Sequence, residues 1–118
     1  MSEQFNSFTS PIEKEVVEQI EKLNLSTLQK LHLKLLSHCL EIFRVIANQS
    51  KVDFPSEKLL REWCAKESQK LGDKDFSTLL YNQMDAAGRK ILDYSQKIEK
   101  QPLELTLEDL IDLTSIEA

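Results

Sequence analysis

The apolar positions of this chain recur every three to four residues along most of its length, the spacing of amphipathic helices rather than of strands. Ile12, Val16, Ile20 and Leu23 form the first such stripe. Ser10-Pro11-Ile12-Glu13 opens that helix, which closes near Asn24. Serine caps there, proline suits the first helical position, and the glutamate reaches back to the cap's free N–H. Glu13, Lys14, Glu15, Glu18, Glu21 and Lys22 make its solvated side.

Ser26 with Gln29 repeats the capping arrangement and opens a second helix reaching about Gln49. Leu28, Leu31, Leu35, Leu36, Cys39, Leu40, Ile42, Phe43 and Ile46 fill more than half of its circumference. Lys30, Lys34, Ser37, Glu41, Arg44 and Asn48 share the narrow remaining strip. A helix so broadly apolar lies at the centre of its fold and touches several neighbours. Ser50 to Phe54 reads as a loop; Pro55 begins a third helix, which Gly72 closes as a left-handed cap. Leu59, Leu60, Trp63, Cys64 and Leu71 mark its inner face. Asp75 starts a fourth helix that runs to about Lys100 and stops before Pro102. Its main stripe is Phe76, Leu80, Met84, Ala87, Ile91, Tyr94 and Ile98, with Asp85, Arg89, Asp93 and Lys97 as an exposed ladder of alternating charge.

After Pro102 the pattern changes. Leu103, Leu105 and Leu107 alternate as in an extended strip, while Thr106 and Asp109 can cap a short helix carrying Leu107, Leu110 and Ile111. The pattern thus predicts an all-α protein, an antiparallel bundle of four main helices with a short fifth C-terminal element. Three stretches follow: a flexible arm over 1–9, a helical bundle over 10–102, and an acidic amphipathic segment over 103–118.

Composition sharpens this picture. Two glycines and three prolines are too few for a turn-rich β fold, and 19 leucines exceed the 12 valines and isoleucines together. No run is long and apolar enough to span a membrane. The opening MSEQFNSFTS lacks the basic and apolar regions of a secretion signal, so a cytoplasmic location is expected. Charge is unevenly placed. The formal net charge is −5, and Glu104, Glu108, Asp109, Asp112 and Glu117, with no basic residue among them, account for all of it. The first 102 residues balance, and a balanced body has no broad positive field to gather nucleic acid.

Residue chemistry points away from catalysis. His32 and His38 sit on different helix faces, and His38 with Glu41 makes only one of the two Glu/His pairs that a di-metal bundle needs. Cys39 lies on an apolar stripe, so it reads as a small hydrophobe, and His32 as a structural core residue. No glycine-rich phosphate loop is present. The sequence therefore assigns no catalytic residue, no metal and no cofactor. Glu67 is discordant on the inner face of helix three; the simple reading is that it reaches water or a lysine there. Two weaker readings are a ligand or metal site around His32, Cys39 and Glu67, and nucleic-acid binding by Lys58, Arg61, Lys66, Lys70 and Lys74. Glu57, Glu62, Glu67 and Asp73 nearly cancel that second set.

Two features favour a binding surface. Helix four has a second apolar strip, Tyr81, Gly88 and Leu92, where Ala86-Ala87-Gly88 permits close approach of another backbone. The tail interleaves acids with Leu107, Leu110, Ile111 and Leu113, which suits docking on a partner, exchange with a second copy, or folding back over the helix-four strip. The expected function is a non-catalytic protein-interaction or adaptor module, homodimeric, using Tyr81, Gly88, Leu92, Leu107, Leu110, Ile111 and Leu113.

Overall fold

A computed structural model describes residues 14–73 and 75–117. The protein is an all-helical bundle in the order α1 (Lys14–Glu21), α2 (Thr27–Ser50), α3 (Glu57–Leu71), α4 (Phe76–Lys97), a 3₁₀ turn (Pro102–Glu104) and α5 (Leu107–Glu117). The arm over 1–9 and the start signal at Ser10-Pro11-Ile12-Glu13 lie outside the described residues. None of the described helices is long and apolar enough to cross a membrane.

The local signals act largely as the sequence predicts. The Ser26 hydroxyl accepts from the Gln29 backbone N–H at 3.1 Å, while the Gln29 side-chain oxygen Oε1 accepts from the Ser26 backbone N–H at 2.9 Å. That reciprocal pair satisfies two of the N–H groups a helix start leaves free. Thr106 and Asp109 do the same for α5, at 3.1 and 2.9 Å. Gly72 closes α3 with φ +72°.

Four ends differ from expectation, and the first is that of α1, which stops at Glu21 rather than near Asn24. Helix α3 starts after Ser56, whose hydroxyl accepts from the Leu59 N–H, so Pro55 precedes the cap rather than opening the helix. The capping side chain before α4 is Asp73, not Asp75; its carboxylate accepts from the N–H groups of Asp75 and Phe76. Helix α4 ends at Lys97, short of Lys100, because Glu99 turns left-handed (φ 56°) and the Lys100 N–H bonds back to the Ser95 carbonyl. Such a turn needs no glycine when surrounding contacts hold it.

Helix α2 is the hub, packing against α1, α3, α4, the 3₁₀ turn and α5. Its Leu33, Leu36, Leu40, Ile42, Phe43 and Ile46 join Ile20, Leu60, Cys64, Leu80, Met84, Ile91, Tyr94, Leu105, Leu110 and Leu113 in one core. Cys39 Sγ lies 3.9 Å from Met84 Sδ, and four residues further on along both helices Phe43 packs at Gly88. Helices α2 and α4 therefore run in the same direction, with the antiparallel α3 joining them, and a shallow furrow separates them where neither covers the other.

Candidate functional site

Two apolar depressions flank α4, one on each side. The first, about 330 Å³, lies between α3, α4 and the loop before α3. Tyr81, Gly88 and Leu92 all line it, so the second strip of helix four is a real surface feature. Its floor is intramolecular, however. A Cβ at Gly88 would stand 3.3 Å from the Phe43 ring and 3.7 Å from Phe54, so the close approach that glycine permits is made by two aromatic rings of the same chain. Those rings meet edge to face at 5.3 Å, which pins the loop to the core. Tyr81 is half-buried beneath the Arg61 guanidinium, 3.9 Å above its ring. The ion pairs Arg61–Glu57 and Arg89–Asp85, 2.9 and 3.0 Å, bring balanced charge to this first depression.

The second depression, about 470 Å³, lies between α2 and α4 and is lined by His32, Leu35, Leu36, Cys39, Asn82, Gln83, Ala86, Ala87 and Lys90. His32 is half-exposed on its wall rather than in the core. The sequence missed this groove because a broad apolar arc on α2 reads as fully buried. It is not. Leu28 and Ile46 lie about five turns apart on one side of α2, yet Ile46 is 4% exposed and Leu28 is 75% exposed. Leu31 and Leu35 (52% and 45%) continue the open part, and Leu79 (64%) lies on the α4 face that carries Ala86 and Lys90.

The tail does not supply a free docking strip. Leu110 and Leu113 are buried, and Leu107 and Ile111 half-buried, against the core of their own chain. Helix α5 covers α2, not the Tyr81–Leu92 strip. Arg44 holds the approach to it: Nε donates to the Leu103 carbonyl at 2.9 Å, one Nη donates to the Leu105 carbonyl, and the other pairs with Glu41. The sequence places Arg44 on the narrow polar strip of helix two; it is a clamp.

The ligand-site residues are not brought together. His32 and Cys39 face the α2–α4 groove, whereas Glu67 lines a separate cavity with Ile46 and Trp63 and pairs with Lys70 at 3.0 Å. Glu67 is buried, not splayed to water, and the lysine answers its charge. Among the described residues no three His, Cys, Asp or Glu side chains are placed to hold a metal ion. Burial pushes the Cys39 thiol up to about 12, the neighbouring Cys64 adding to the effect, and pushes the Cys64 thiol up to about 11. A nucleophilic cysteine needs the opposite shift. On α3, Arg61 and Lys70 are held in ion pairs along the helix, and Lys74 lies outside the described residues.

What this geometry offers is apolar surface on both sides of α4, with paired charges at the first depression and Lys90 on the wall of the second. The family model of the NDH complex assembly factor CRR9 matches residues 12–118. The chain belongs to this family. No curated protein and no solved structure matches it. The match spans every described helix, from α1 through α5.

Proposed function

We propose that this member of the CRR9 family is a non-catalytic assembly factor that binds protein components of an NDH complex while they are put together. The observation that carries the reading is the family match over residues 12–118. The open apolar faces on both sides of α4 support it, since exposed contiguous apolar surface marks interaction sites. The four tail residues Leu107, Leu110, Ile111 and Leu113 act in this reading by holding the bundle together. Tyr81 and Leu92 remain surface residues for contact with a partner.

The test is affinity capture with the tagged full chain from cells that make an NDH complex. Enrichment of NDH-complex proteins over a tagged control is expected. If none is enriched under conditions that preserve partly assembled complexes, the reading fails. A homodimer is a second reading, favoured by the open leucines Leu28, Leu31 and Leu35. Light scattering separates the two, a dimer giving twice the 13.7 kDa of the single chain.

A further inference from the structure

We propose that the cavity between α3 and the C-terminal turn of α2 is a pocket for an arginine side chain of a protein partner. This rests on the assembly-factor reading and adds to it one point of contact and its chemistry.

The cavity, about 300 Å³, has Trp63 and Glu67 of α3 on one wall and Gln49 and Ser50 of α2 on the other. Its fixed charge is negative. Glu67 is 8% exposed, so its carboxylate cannot turn away into water. Oε2 accepts from Lys70 Nζ at 3.0 Å, while Oε1 accepts no hydrogen bond from the described residues. A carboxylate can accept through both oxygens at once, side by side, from a guanidinium. The last turn of α2 carries no basic residue, and Lys51, which follows it, is not in the cavity wall. A helix end of this kind presents partial negative charge.

The positive charge is movable. Lys66 and Lys70 also line the cavity, but both are exposed, the Lys70 side chain by 57%, and their long stems let the ammonium groups swing into water. Glu62, exposed as well, offsets one of them. An anion entering here meets a carboxylate that stays; a cation meets lysines that leave.

Shape selects among cations. A planar guanidinium stacks on an indole face and forks to a carboxylate, which a lysine ammonium does not do. Neither this chain nor a second copy of it supplies the group, because its three arginines are engaged elsewhere. Arg44 holds the Leu103 and Leu105 carbonyls, Arg61 pairs with Glu57 over Tyr81, and Arg89 pairs with Asp85. The arginine therefore belongs to a different protein.

Trp63 is the single tryptophan of the chain, so its fluorescence reports on the pocket directly. The full chain is titrated with four synthetic peptides that differ at one central position: arginine, lysine, citrulline or glutamate. The arginine peptide is expected to change Trp63 emission saturably. It should bind at least about tenfold more tightly than the citrulline peptide, which has the same shape without the charge. The lysine peptide falls between them, and the glutamate peptide does not bind. Glu67→Gln brings the arginine peptide down to the citrulline level. Lys70→Met frees the second oxygen of Glu67 and tightens arginine binding severalfold, a direction that structural damage does not produce. Circular dichroism checks each variant, and if Glu67→Gln does not fold, Lys70→Met decides. Equal binding of the arginine and citrulline peptides, preference for glutamate, no binding, or no effect of Glu67→Gln overturns the pocket. So does a Lys70→Met chain that binds arginine no better. If the Glu67→Gln chain captures NDH-complex proteins as the unaltered chain does, this contact is wrong while the assembly reading stands. If the unaltered chain binds the arginine peptide yet captures none of them, the assembly reading fails and the guanidinium pocket stands.

Discussion

Cys39 and Cys64 sit in the core beside Met84 and Leu60, and loss of water raises the cost of their thiolate forms. With thiols pushed up to about 12 and about 11, at pH 8 roughly one Cys39 in 10⁴ and one Cys64 in 10³ ionises. Iodoacetamide should therefore leave both unlabelled in the folded protein and modify both in denaturant, which mass spectrometry reads directly. The sign of the linked pH effect follows. The folded thiols hold their protons more tightly than the unfolded chain, whose cysteines titrate near ~8.5. Their contribution to stability is complete below that value and is lost as pH rises toward the folded values. A melting temperature unchanged between pH 8 and 10.5 would contradict this. Their position on inner stripes is legible in the sequence from helical spacing alone. The role of Arg44 is not, because a polar strip on a helix looks the same whether it faces water or backbone carbonyls.

Helix identity and order follow from caps and periodicity, since these act within a few residues. Ser26–Gln29, Gly72 and Thr106–Asp109 carry the signal in full. Ends set by the surroundings, such as the left-handed Glu99, escape it. The placement of α5 escapes it too: acids beside leucines fit a free docking helix and a docked one equally well. Helix α5 is held partly by charge. A hydrogen bond from Lys100, then the Thr106 N–H, hold the Asp109 carboxyl below its usual range. Because the folded pKa is depressed, this support is present above the unfolded value of ~3.9 and disappears as pH falls through the folded one. Hydrogen exchange in α5 should therefore rise at acid pH before exchange in α2 does, and Asp109→Asn should bring that loosening to neutral pH. Arg44→Ala removes two charged hydrogen bonds to the Leu103 and Leu105 carbonyls and should cost about 1.5–3 kcal/mol. The loss shows as a lower urea midpoint. Equal exchange of α2 and α5 at every pH would contradict the order of loosening.

The bundle as one body uses its leucines in two ways that composition cannot separate. Leu105 and Leu110 are fully buried although they belong to the acidic segment, while Leu28 is open although it lies on the central helix. Which half of the α2 stripe is covered depends on where α3 crosses it, a property of packing angle and not of any local run of residues. The consequence is measurable by one substitution made in two places. Leu110→Ala leaves a cavity in the core and should cost about 2–5 kcal/mol. Leu28→Ala removes side chain already in water and should change stability by less than about 0.5 kcal/mol. Removal of residues 103–118 deletes Leu105, Leu110 and Leu113 together and exposes the part of α2 that they cover. The truncated chain should then lose its cooperative melt, so a failure of that truncation to capture partners would report unfolding rather than loss of a docking tail. If Leu110→Ala melts with the unaltered chain, or the truncated chain melts cooperatively at the unaltered temperature, α5 is not part of the core in solution. The face of α2 beneath α5 would then join Leu28, Leu31 and Leu35 as open apolar surface.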